Sequence, residues 1–85
     1  MKEIEHLRFL VFKMGGIAGA IRRIIREWQG VFTAGFIRVA MKMRYPVLIP
    51  GPTQIEDLLE RLEKFQRIRC VFVSGAEKVF QYLSA

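Results

Sequence analysis

Pro50-Gly51-Pro52 divides the chain into two stretches that no helix or strand can bridge. Each proline removes a backbone donor, and the glycine between them imposes no conformation of its own. Both stretches must build their own elements and share one core, since 85 residues make a single domain, 1-85. Chains of this size bury only just enough apolar surface to fold without metal, disulfide or partner. Assembly with other subunits or with a second copy is therefore expected.

Past the break, Thr53 and Glu56 have the spacing of a capping box. Ile55, Leu58, Leu59, Leu62 and Phe65 then form an apolar stripe, which predicts a helix over Thr53–Gln66. Asp57 with Arg61, Glu60 with Lys64 and Glu63 with Arg67 stand four apart in the favourable acid-first order. This helix reads as internally neutralised and structural. Ile68 to Ser74 reads as a strand, Gly75 as a break and Ala76 to Leu83 as a short helix.

Before the break, Leu7 to Met14 reads as a first strand that Gly15-Gly16 ends sharply. Ile17, Ile21, Ile24 and Trp28 lie on one face of a helix over Ile17–Gln29, with Gly30 as its C′ residue. From Val31 to Ile49 the residues alternate, with Ile37, Val39, Met41 and Met43 on one parity and Arg38, Lys42 and Arg44 on the other. So long a run predicts a hairpin turning near Val39 to Lys42. No Asn-Gly or Asp-Gly marks that turn, and a continuous helix from Thr33 to Arg44 is the competing reading. The resulting order is a ferredoxin-like βαββαβ sandwich of the α/β (α+β) class with a short C-terminal helix. In it Leu7–Met14 lies beside Ile68–Ser74, and both longer helices cover one sheet face.

Charge is unevenly divided. Nine of the fourteen basic residues and three of the eight acidic ones precede Gly51, so the first fifty residues hold the whole net charge of +6. Arg22, Arg23 and Arg26 share one predicted helix; Arg38, Lys42 and Arg44 stand at alternating predicted strand positions, on faces that the turn between the strands leaves open. Such clusters repel unless an anion relieves them. Arginine outnumbers lysine nine to five, and the planar guanidinium suits bidentate phosphate contacts, which favours RNA. Phe32, Phe36 and Phe72 are read either as stacking surfaces for bases or as core and subunit contacts.

Catalysis has no foothold in the sequence. His6 has no serine, cysteine or carboxylate constellation around it, and Cys70 sits in an apolar strand as packing. Gly15, Gly16 and Gly19 match neither GxGxxG nor a Walker loop, so they read as a tight turn. One cysteine permits no internal disulfide and suits a reducing compartment. No uncharged apolar run approaches a membrane span, and the first residues lack the pattern of a signal peptide. No metal, cofactor or membrane partner is expected.

Gln29-Gly30-Val31 and Lys42-Met43-Arg44-Tyr45-Pro46-Val47 resemble the glycine and basic-Leu-Ala-Tyr-Pro-Ile pattern of the sixth small-subunit ribosomal protein family. Arg67-Ile68-Arg69-Cys70-Val71-Phe72-Val73 is similar to that family's last strand. The resemblance implies a ferredoxin-like protein that binds ribosomal RNA and a neighbouring subunit in a cytoplasmic or organellar (mitochondrial matrix) ribosome. By position it implies Lys42, Arg44 and Arg69 as RNA contacts, with Tyr45 beside them. The chain departs from the family in leaving little room for a separate third strand after Pro46 and in its short first loop. The order of elements, with Gly15-Gly16 after the first strand, also resembles ACT-type regulatory domains, which implies a small-molecule-sensing or oligomerisation module. Without the usual acidic or asparagine ligand contacts of that type, the first expectation is a non-catalytic, RNA-binding structural component of a ribonucleoprotein. It would bind structured RNA through Arg22, Arg23, Arg26, Arg38, Lys42, Arg44, Tyr45 and Arg69.

Overall fold

The computed structural model describes residues 15–83. His6 and the expected first strand, Leu7–Met14, lie outside them. Two glycines start the described chain: Gly15 and Gly16 have φ of 85° and 72°, a region that side chains avoid and glycine enters freely. The tight-turn reading fits Gly15 and Gly16, whereas Gly19 of the same cluster lies buried within the helix that follows. Helix α1 follows at Gly16–Trp28, burying Ile21, Ile24 and Ile25. It ends at Gln29, whose left-handed backbone lets its N–H reach the Ile25 carbonyl.

Trp28 folds back over the exit from α1, and its indole Nε1 donates to the Val31 carbonyl at 2.9 Å. A Cβ on Gly30 would lie 2.8 Å from that nitrogen, so the indole and any larger residue at position 30 are incompatible. The ring also rests against Phe36, with centroids 4.8 Å apart. Strand β1, Val31–Phe32, is correspondingly short.

The region expected to be a hairpin is helix α2, Ala34–Arg44. Thr33 caps it, its hydroxyl accepting from the Phe36 N–H at 3.1 Å, and Lys42 and Arg44 lie in the last turn where the helix dipole favours cations. The alternation that suggested strands has a helical explanation. Steps of two residues stay on one face of a strand but advance 200° around a helix, so residues of one parity change sides there. Ile37 and Met41, four apart, are buried, whereas Val39 and Met43 on the far side are exposed. Arg38, Lys42 and Arg44 consequently share no strand face.

After the proline break, α3 spans Gln54–Lys64 and buries Ile55 and Leu59, with Leu58 and Leu62 half-buried. The capping box does not form: the Thr53 hydroxyl bonds the Asp57 carboxylate at 3.0 Å, and the Gly51 N–H bonds the Gln54 side chain. The C-terminus closes in a Schellman turn. Gln66 adopts a left-handed φ of 59°, its N–H bonds the Glu63 carbonyl, and the Arg67 N–H reaches Leu62. The chain thus reverses directly into β2.

β2, Ile68–Ser74, has the bounds expected of it. The expected terminal helix is instead strand β3, Glu77–Tyr82. Ser74 pairs with Glu77 across the two-residue loop Gly75-Ala76, and Gly75 supplies the positive φ that such loops need. Helix-favouring Ala76, Glu77 and Lys78 are overruled by the pairing with β2 and by burial of Val79 and Phe80. A register shift between Cys70 and Phe72 marks a bulge in β2.

Among the described residues three strands form an antiparallel sheet in the order β1-β3-β2. The molecule is of the α+β class, but the described residues do not run in βαββαβ order, because the middle hairpin is a helix. One core joins all of the elements, built on Ile21, Ile25, Ile37, Met41, Ile55, Leu59, Ile68 and Phe80. α2 packs against both α1 and α3, which leaves a trough between α1 and α3.

Candidate anion-binding site

That trough is a groove of about 690 Å³. α1 contributes Ala18, Arg22, Ile25 and Arg26, and α3 contributes Leu58, Arg61 and Leu62. Phe65 and Arg67, on the Schellman turn, close one end with Ile68 and Tyr82. The local reason is helical spacing. Ala18, Arg22, Ile25 and Arg26 fall on one face of α1, while Leu58, Arg61, Leu62 and Phe65 fall on one face of α3. On both helices arginines border the apolar stripe, so their stems cover the floor while their heads stay wet.

Four guanidinium groups therefore face one groove, and among the described residues no carboxylate lines it. All four arginines are exposed, and within the described residues none of them forms an ion pair or a side-chain hydrogen bond. Asp57, expected to neutralise Arg61, accepts from Thr53 instead. Glu63, expected to meet Arg67, meets Lys78 at 3.4 Å. Repulsion within the groove is left to solvent or to a ligand, since like charges this close on a shared wall disfavour one another.

The sequence-selected residues divide sharply. Arg22 and Arg26 belong to the groove. Arg23 points elsewhere, its Nε bonding Glu27 at 2.9 Å, and Arg44 engages the other oxygen of the same carboxylate. These two guanidinium groups hold the Glu27 carboxyl below its ordinary range, and the Glu27 carboxylate in turn raises Arg23. Arg44 also lies 5.7 Å over the Tyr45 ring, a cation–π distance. Arg38 is bonded to Glu56 at 2.7 Å and Arg69 to the Gln81 side chain at 3.1 Å. Lys42 is exposed on α2. The eight residues thus form no single surface.

Arg61, Arg67 and Phe65 were not among them. The acid-first pairs of α3 made its arginines look spent, although their position at the margin of the apolar stripe was visible in the spacing. Of the candidate stacking rings, Phe32 is core, 2% exposed and stacked on Phe80 at 5.9 Å. Phe36 is half-buried against Trp28, and Phe72 is exposed on β2. Cys70 is half-buried, its Sγ directed at the Phe72 carbonyl.

Among the described residues no group of histidine, cysteine and carboxylate side chains is placed to hold a metal ion, and no helix is long and apolar enough to cross a membrane. Comparison with protein-family models, curated proteins and solved structures gives no match.

Proposed function

We propose that this chain is a non-catalytic, RNA-binding component of a ribonucleoprotein particle that holds the RNA backbone in the groove between α1 and α3. One observation carries the reading: four guanidinium groups line a single concavity that no carboxylate of the described residues enters. A site so built favours a ligand with several negative charges, and guanidinium forks match phosphate oxygens in pairs. The net charge of +6 adds long-range attraction for a polyanion. The particle implied by the family resemblance is the ribosomal small subunit, and co-sedimentation of the native protein with that subunit is the measurement for this part.

The groove itself is tested by replacing Arg22, Arg26, Arg61 and Arg67 together with glutamine. Affinity for RNA should fall, and the slope of log K against log salt should flatten by ~3, the counterions released by four contacts on a single strand. The matched control replaces Arg23, Arg38 and Arg44, which already have carboxylate partners. If the control weakens binding more than the groove variant does, RNA sits elsewhere.

A further inference from the structure

We infer that the groove receives an unpaired stretch of nucleic acid and stacks one of its bases on Phe65. The inference rests on the RNA reading above and narrows it. Phe65 is the C-cap residue of α3, and it is 69% exposed at the end of the groove. Among the described residues it stacks on no other ring. A phenylalanine held on the outside by a helix terminus costs solvation and gains no packing, so its ring is a free platform. It stands between Arg61, one turn back on α3, and Arg67, two residues on, both of which line the same groove. Cation, ring and cation in that succession match the phosphate, base and phosphate of a single strand.

The floor supports the same choice. Ile25, Leu58, Leu62 and Ile68 give the groove an apolar bottom beneath its charged rims. A duplex carries its phosphates on convex rails with its bases paired inside, so it would rest on the rims and leave the floor uncovered. An unpaired strand can turn a base inward onto the floor while its phosphates stay at the rims. Base stacking of this kind tolerates any sequence, because every base offers a π-face.

The experiment uses the whole chain and fluorescently labelled oligonucleotides: an unstructured RNA strand of about ten nucleotides, its DNA counterpart, the blunt RNA duplex of equal length, and uridine monophosphate as competitor. The single strand should bind about tenfold tighter than the duplex. Phe65→Ala should abolish that preference and Phe65→Leu should fail to restore it, with the salt slope unchanged because no charge is removed. Circular dichroism of both variants checks that the exposed site tolerates the change. Equal binding of strand and duplex, retention of the preference by Phe65→Ala, or competition by uridine monophosphate at the strand's own affinity would each overturn the inference while leaving the groove as an anion site. Loss of preference for strand over duplex in Phe65→Ala but no effect of the groove arginine variant would place the strand on the ring without contact to the arginines and would overturn the groove as its seat. No binding of any oligonucleotide removes both this inference and the reading on which it rests.

Discussion

The two flanks of α3 differ in what happens to their charges. Toward α2 and the β2–β3 hairpin lies a second groove of about 720 Å³, lined by Glu56, Glu60, Glu63 and Glu77 together with Arg38 and Lys78. There Arg38 bonds Glu56, Lys78 bonds Glu63, and the Gly35 N–H reaches Glu77 at 3.4 Å. Toward α1 the concavity is nearly as large, yet among the described residues the charged side chains that line it are all guanidinium groups. The same helix thus ties the fold together by two ion pairs on one side, where among the described residues Glu60 and Glu77 have none, and on the other presents an arginine that no described carboxylate pairs. Concavity by itself does not mark a site; uncompensated charge within a concavity is the more informative sign, because a fold gains nothing from it unaided.

The largest expected contrast is in stability. Leu59 is 1% exposed and lines the groove on the hairpin side, so Leu59→Ala should cost about 2–5 kcal/mol by urea denaturation. Leu62, half-buried on the floor of the arginine groove, should cost clearly less on the same substitution. Equal losses would mean that the groove floor is as tightly packed as the core and is closed to a ligand. Next comes the turn that presents Arg67. Gln66→Gly relieves a left-handed φ and should stabilise the protein by about 1 kcal/mol while leaving RNA affinity unchanged. A destabilised Gln66→Gly would show that the Gln66 side chain, and not the backbone, shapes this end of the groove.

The smallest effect separates paired from unpaired arginines on α1. The Glu27 carboxyl is lowered in the folded protein by hydrogen bonds from Arg23 and Arg44. Its contribution to stability is therefore present above the ordinary carboxylate range and is lost as pH falls through the lowered folded value. Urea midpoints of wild type and Glu27→Gln, followed from neutral pH downward, should converge in acid. Parallel curves would remove Glu27 as an electrostatic partner of the two arginines.

Much of the frame could be read in the residues. α1, α3 and β2 fall where periodicity and punctuation put them, since each has a run of one period bounded by glycine or proline. The failures share a cause: both are stretches whose local signal fits two structures and whose outcome is fixed by distant contacts. Residues 34–44 alternate in a way that a helix also satisfies, and burial of Ile37 and Met41 decides the matter. Residues 77–82 have helix-favouring chemistry and become a strand because β2 needs a partner. The site was legible by half. Arg22 and Arg26 could be seen because no carboxylate lies one turn away to compensate both of them, whereas Arg61 and Arg67 were hidden by carboxylates that turn to other partners.

The indole folded over Gly30 gives the molecule an optical gauge of its own. Trp28 is the only tryptophan in the chain, it touches Phe36 of α2, and it is not among the residues that line the arginine groove. Its emission therefore follows the seam between α1 and α2 rather than occupancy of the groove. An unfolding curve read at this ring and a binding curve read from a labelled strand can be recorded in one cuvette, and a shift of the first with strand concentration reports their linkage.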